Sequence, residues 1–362
     1  MTGGPSEEET TAVAATDPAN ELRQMILGFV PTQILYAAVD LGVAEELADG
    51  PHAYGELAGR TGTDPAALRR LLRALAGLGV VTQLDMERFE LTDSGRLLAS
   101  STEGSVADEI RLSVAPELWR AWGALPQVVR TGSVFRDPVD GLTAHESLLR
   151  RPGPAAALRA GKAAGVGEFA AHAAAVYDFS VFGTIADLGG DDGTLIAALL
   201  TAVPGARAVL QDLPEALDTT VATLKAAGVA ERCETVAGVL GESVPLGADA
   251  YLLNNIVRDL DDEDASALLR RCRAAMAPAA RLLLVETLMP AVLTPAESSA
   301  YGLTDLNNLV FAGGRERTRD EYAQLLAASG FTLTATVAVP VGEGMPDYHV
   351  LEGTPSENPG SR

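Results

Sequence analysis

The apolar and polar positions fall into two regimes along the chain. From residue 21 to about 100 the pattern is helical and then β. The stretch "QMILGFVPTQILYAAVDLGVAEELA" carries apolar residues on more than one face, which predicts a segment buried against a partner. "TDPAALRRLLRALAGLGVV" predicts a one-sided helix. Leu68, Leu71, Leu72 and Leu75 recur at i, i+3, i+4 and i+7, Asp64 suits the N-cap, Pro65 the first helical position, and Gly77 and Gly79 the end. "VVTQLDMERFELTDSG" then predicts two short strands around a turn at residues 85–88. Helix, helix and hairpin make a winged-helix arrangement. Residues 101–180 read as mostly helical, with loops at "RTGSVFRDPVDG" and "RRPGP".

From Val181 strands and helices alternate. "TIADL", "RAVLQDL", "DAYLLNN", "RLLLVETLM" and "FTLTATVAV" have buried-strand composition. Between them "TLIAALLTAV", "PEALDTTVATLKAAG", "DEDASALLRRCRAAMA" and "RDEYAQLLAASG" read as helices. This alternation predicts an α/β fold with a Rossmann-like, doubly wound, mainly parallel sheet. Ligands in such sheets bind beyond the carboxyl ends of the strands. The expected organisation is a disordered leader (1–20), a winged-helix domain (21–100), a helical connecting and substrate-lining region (101–180), the Rossmann-like domain (181–352) and a flexible tail (353–362).

Composition narrows the function. The 362 residues carry a net charge of −22, with 47% hydrophobic and 21% charged residues. Phosphate binding runs on clustered Lys and Arg, so the acidic balance argues against nucleic acid and turns the winged helix towards dimerisation or packing. It argues equally against anionic membrane surfaces. The first twenty residues have no basic or apolar stretch of a signal peptide, and no long apolar run is evident. Two cysteines, Cys233 and Cys272, fit structural thiols in a reduced cytoplasmic protein.

The candidate chemistry centres on "TIADLGGDDGTLIAALL". Asp187 ends the first strand, Gly189, Gly190 and Gly193 make a turn, and the second strand ends at Asp212. A carboxylate there commonly accepts from ribose hydroxyls, so strand, turn, helix and second-strand acid together suggest a nucleotide-like cofactor. Trp119 and Trp122 lie three apart on one helix face, either in a core or lining an aromatic pocket.

The segments "YDFSVFGTIADLGGDDGTL", "VLQDLPEAL", "YLLNNIVRDLDDEDASALLRRCRAAMAPAARLLLVETLMP" and "DLNNLVFAGGRERTRDEYAQLLAASGF" closely resemble the small-molecule O-methyltransferases with an N-terminal winged-helix dimerisation domain. The resemblance covers roughly residues 21–352. It implies a homodimer, S-adenosylmethionine at the glycine turn, and a phenolic or polyketide substrate. No metal is implied.

Carried over residue by residue, the resemblance also shows departures. The family turn reads D-x-G-G-G-x-G, and here Asp191 replaces the third consecutive glycine; Asp191 or Asp192 alternatively caps the following helix. The family's Gly-Asp pair near the adenine is Gly238-Val239, so the hydrogen bond expected at Val239 is lost. The family's base histidine is Arg258, which cannot take a phenol proton at neutral pH. The two glutamates that flank that histidine are kept as Glu286 and Glu316, so Arg258 either polarises a substrate or forms a buried ion pair. A Met near the sulfonium aligns with Lys162, which is either a cation that would repel the sulfonium and join Arg258 as a catalytic candidate or a surface lysine; another packing Met aligns with Asn308, which would make the pocket more polar. None of His52, His145, His172 or His349 matches the lost base. Two functions follow. One is O-methylation of a small aromatic or polyketide hydroxyl in secondary metabolism. The other is a scaffold that has ceased to methylate and runs cyclisation, decarboxylation or hydroxylation.

Overall fold

The computed structural model describes residues 17–340 and 348–356, apart from the side chains of residues 160, 162–165, 168, 171, 296 and 299. The chain divides after Ala115 into two compact units.

In the first unit Asp17 caps a helix at Pro18–Ile26, its carboxylate accepting from the Ala19 amide at 3.1 Å. The helix therefore begins inside the stretch expected to be a disordered leader; residues 1–16 lie outside the described ones. A second helix, Phe29–Asp40, follows. The one-sided helix is Pro65–Gly77, capped by Asp64 as its sequence requires, and Leu68, Leu72 and Leu75 are buried. They pack on Leu57 of helix Tyr54–Thr61 and on Phe89. Strands β1 (His52–Ala53), β2 (Val81–Gln83) and β3 (Arg88–Leu91) form an antiparallel sheet of order β1-β3-β2. Helix Ala107–Ser113 packs against Phe29–Asp40, so this unit runs to residue 115 rather than 100. Leu22, Met25, Ile26, Leu27 and Phe29 are more than half exposed. By length and composition alone residues 18–40 would be able to cross a membrane, but the helix is interrupted at Leu27 and Gly28.

In the second unit the strands are β4 (Thr184–Leu188), β5 (Arg207–Asp212), β6 (Cys233–Ala237), β7 (Ala250–Asn254), β8 (Arg281–Thr287), β9 (Phe331–Val339) and β10 (Tyr348–Pro355). Their order is β6-β5-β4-β7-β8-β10-β9. β4 to β8 pair in parallel, and β10 runs antiparallel to both neighbours, with Val350 opposite Val285 and Leu351 opposite Leu284. The expected doubly wound sheet is present.

Two strands escape the hydrophobic pattern for different reasons. β6 is an edge strand whose residues are only half-buried or exposed, so it shows no apolar run. β10 is interior, but only Val350, Leu351 and Gly353 in it are fully buried, among polar neighbours. Its Gly353 to Pro355 end, expected to be a flexible tail, is strand paired to β9, and Tyr177 anchors it by donating to Glu352 at 2.6 Å. Residues 357–362 lie outside the described ones.

The strand order reverses between β4 and β7. A crevice opens there, outside the carboxyl ends of the strands. Both flanking strands are buried apart from the half-buried Thr184 and Asn254 at their ends, which fixes the loops that follow them.

The first unit contains a backbone approach that admits no side chain. A Cβ on Gly95 would collide with the Val80 carbonyl, which already accepts from the Thr92 amide. Gly95→Ala is expected to cost about 3 kcal/mol through overpacking, read as a lowered urea midpoint at unchanged m-value.

Candidate active site

The glycine turn lies between β4 and helix Thr194–Ala202, which Gly193 caps with φ +79°. Gly189 has φ +69° and donates to the Gln211 carbonyl at 2.9 Å. A Cβ on Gly190 would stand 2.6 Å from both Asp187 Oδ2 and Leu210 Cδ1, so only glycine fits. The turn faces a cleft whose other wall is Asn254, Asn255 and Ile256, just past β7.

Position 191 has φ +52°. That explains why glycine suits it, and why Asp, one of the residues that tolerates the left-handed region, can replace it at a cost of about 1–2 kcal/mol. The Asp191 amide donates to Asp212 Oδ2 at 2.7 Å, and its carbonyl accepts from Thr220 Oγ1 at 2.5 Å. Its carboxylate lies 3.5 Å from Arg159 Nε. Asp192, not Asp191, takes the capping role, accepting from the Thr194 amide at 3.0 Å and hydroxyl at 2.8 Å. Asp212 does not stand open at its strand end. It holds the turn through Asp191 and accepts from the Leu213 amide at 2.6 Å.

Asp187 is the unusual group. It is buried, and among the described residues neither carboxyl oxygen has a hydrogen-bond partner. Burial, with Asp212 and Asp191 nearby, pushes its carboxyl up to about 7. That value exceeds the ordinary one, so Asp187 contributes stability that is present at low pH and lost as pH rises towards 7. Ligand donors reaching this carboxyl would supply what the fold leaves out.

Val239 is 46% exposed beside Gly238 and offers no acceptor to the turn. The loop it belongs to is tied down by Gln211, whose Nε2 donates to the Ser243 carbonyl and hydroxyl, both at 3.1 Å.

A second cluster lies past β7 and β8. Arg258 sits in a short helical turn, Val257–Asp259, and pairs through Nη2 with Glu316. The two glutamates expected to flank it do different work. Glu316 holds the guanidinium and also accepts from Asn308 Nδ2 at 3.0 Å and Thr287 Oγ1 at 2.7 Å. Glu286 instead holds the backbone, Oε1 accepting from the Val257 amide at 2.9 Å and the Arg258 amide at 3.3 Å. Its Oε2 is buried without a partner, and burial pushes its carboxyl up to about 8 against the opposing pull of Arg258. Asn308 is buried on Glu316, so it braces the ion pair rather than opening the pocket to polar groups.

Trp119 and Trp122 do not act as a pair. Trp122 packs with Leu118, Leu125 and Phe135 around Ala121, Ala144 and Val310, while Trp119 is 39% exposed. The side chain of Lys162, on helix Pro152–Val176, lies outside the described residues.

The sequence reading passed over two residues that hold the second cluster in place. Arg317 is 1% exposed and donates to the carbonyls of Val257 at 2.8 Å and Leu260 at 2.9 Å, and to Asp262 at 2.7 and 3.0 Å. A Cβ on Gly314 would collide with the Arg258 carbonyl. Both lie in "GGRERT", from which only Glu316 was singled out; the charge of Arg317 beside an apolar-flanked turn was the available signal. Asn255 and Tyr348 were also passed over, and no motif marks them.

Chemically, the site is an acidic, glycine-walled cleft beside a buried arginine centre. Residues 122–332 match the profile of the O-methyltransferase domain, and residues 23–101 that of the O-methyltransferase dimerisation domain. The chain belongs to this O-methyltransferase family. A phenazine O-methyltransferase of Lysobacter antibioticus is 36% identical over 90% of this chain and 94% of its own. The mitomycin biosynthesis 6-O-methyltransferase of Streptomyces lavendulae is 37% identical over 91% and 93%. An O-methyltransferase from neocarzinostatin biosynthesis, solved with S-adenosylmethionine and 2-hydroxy-5-methyl naphthoic acid, matches with a TM-score of 0.76 at 25% identity, over 94% of this chain and all of its own. The aclacinomycin 10-hydroxylase of Streptomyces purpurascens is also related, 30% identical over 90% and 87%.

Two outcomes are expected. Arg317→Ala leaves two carbonyls near the Arg258 turn unpaired and should cost about 3 kcal/mol, read by thermal unfolding. Asp191→Gly relieves the left-handed strain but adds chain entropy, so stability should move by less than about 1 kcal/mol. Removal of its charge should lower the Asp187 pKa, measurable by carbon-detected NMR titration.

Proposed function

We propose that this chain is an S-adenosylmethionine-dependent O-methyltransferase of secondary metabolism, acting on a hydroxyl of a small aromatic or polyketide compound as a homodimer. The single observation that carries the cofactor assignment is the buried, unpartnered carboxyl of Asp187 beneath a turn that only glycine can form at residue 190. Asp187, Asp191 and Asp192 make the cleft acidic, which suits a ligand bearing a sulfonium and an ammonium group. S-adenosylmethionine supplies an electrophilic methyl group; Asp187, the turn amides and the wall from Asn254 to Ile256 are the residues that would hold it. Asp212 keeps the turn in shape, and Val239 contributes no acceptor.

Methyl transfer depends chiefly on alignment of the acceptor oxygen with the methyl carbon, so orientation supplies much of the rate without a base. Arg258 in the base position is then compatible with methylation. The related hydroxylase keeps the second reading in view, but the more similar relatives named above are methyltransferases.

The exposed apolar face of residues 22–29 supports the dimer. Leu22, Met25 and Phe29 would be covered by a second copy at the matched dimerisation domain.

Calorimetry with S-adenosylmethionine tests the reading. Asp187 should ionise on meeting a cation, so binding should release a proton and tighten as pH rises through 7, by up to about tenfold per pH unit below it. Asp187→Asn should bind weakly and lose this dependence. An absence of binding at millimolar cofactor would eliminate the proposal.

A further inference from the structure

Arg258 has five N–H donors. Nη2 pairs with Glu316, while among the described residues no acceptor is found for Nε or Nη1, and the side chain is 13% exposed. Tyr348 stands in β10 opposite Thr287, whose hydroxyl donates to the same Glu316 that holds Arg258. The Tyr348 hydroxyl oxygen accepts from Asn255 Nδ2 at 3.2 Å, which leaves its own proton to be donated. Asn255 is itself left-handed, with φ +54°, and lines the cleft opposite the glycine turn. Tyr348 and Arg258 therefore offer hydrogen-bond donors near the cleft wall, where Asn255 Oδ1 is a neutral acceptor and Asp259 is the remaining carboxylate acting on Arg258. Glu316 is taken up by Arg258, Asn308 and Thr287, and Glu286 has no surface exposed to a substrate.

We propose that Arg258 and Tyr348 form an oxyanion-binding site that selects the acceptor hydroxyl in its ionised form. This rests on the methyltransferase reading and names its substrate class. The acceptors are acidic aromatic hydroxyls or enols, those activated by a conjugated carbonyl, quinone or nitro group, which ionise in water near neutral pH. The hydroxyl loses its proton to solvent before binding. The oxyanion then attacks the methyl carbon: an O–C bond forms, the C–S bond breaks with its electron pair on sulfur, and the negative and positive charges both disappear. Arg258 and Tyr348 hold the anion and exclude the neutral phenol, and no protein base is required.

The test uses a nitrophenol, whose absorbance reports its own ionisation, titrated with the full-length protein in the absence of cofactor. The bound phenol should have its pKa lowered by about one unit or more. Arg258→Gln should abolish the shift and Tyr348→Phe reduce it. A bound phenol that keeps its solution pKa overturns the proposal. So does a folded Arg258→Gln variant that retains the shift. If Arg258→Gln does not fold, Tyr348→Phe decides, and an unchanged shift in it overturns the proposal. With cofactor present, the pH midpoint of methyl transfer should follow the pKa of each phenol across a graded series. A midpoint independent of the phenol overturns the oxyanion site while leaving methyl transfer intact. A phenol shift without any cofactor binding would instead remove the methyltransferase reading alone.

Discussion

Residue 314 has no room for a side chain, because a Cβ there would collide with the carbonyl of Arg258. The loop after β7 and the loop after helix Leu303–Phe311 are thereby pressed together backbone to backbone. The Arg315 amide donates to the same carbonyl at 2.9 Å, and Arg317 reaches across to the carbonyls of Val257 and Leu260. Arg258 and Glu316 lie on either side of this contact. It sets Glu316 against the Arg258 guanidinium, and Glu316 in turn organises Asn308 and Thr287. A buried charge without such company would be expensive.

The two halves of the site are built on opposite electrostatic principles. The glycine turn gathers carboxyls and leaves the one on Asp187 unsatisfied, which on the proposed reading suits a positive ligand. In the Arg258 cluster Glu316 is engaged internally, and on the same reading the arginine suits a negative one. Asn255 stands between them, on the cleft wall and bonded to Tyr348. A positive methyl donor and a negative acceptor oxygen would each find a fitting side of a single crevice. Their charges cancel as the methyl group moves, which is the kind of change a low-dielectric site assists.

On the proposed reading, arginine in the place of the family's base histidine is compatible with catalysis. An arginine stabilises an anion but cannot create one, so that reading selects substrates that ionise on their own. The Asp191 substitution is milder than its charge suggests. Its backbone keeps the left-handed turn that glycine would provide, and the carboxylate has Arg159 nearby.

The sequence by itself determined the β/α alternation, the Asp64 cap, the leucine face of Pro65–Gly77, and the turn between β4 and its helix. Each rests on contacts within a few residues, which periodicity and capping chemistry record directly. It also placed Asp187, Arg258, Glu286 and Glu316 as the charged groups to watch. Only the tertiary structure decided what each does: that Glu286 grips backbone while Glu316 grips the guanidinium, that Asn308 braces rather than lines, and that Trp119 and Trp122 part company. It alone supplied β10, too polar to announce itself, and the loop contact at Gly314. Most of those outcomes depend on distant residues meeting in space, as Glu286 and Arg258 do across 28 positions and Asn255 and Tyr348 across 93. The local pattern of a chain carries no record of such meetings.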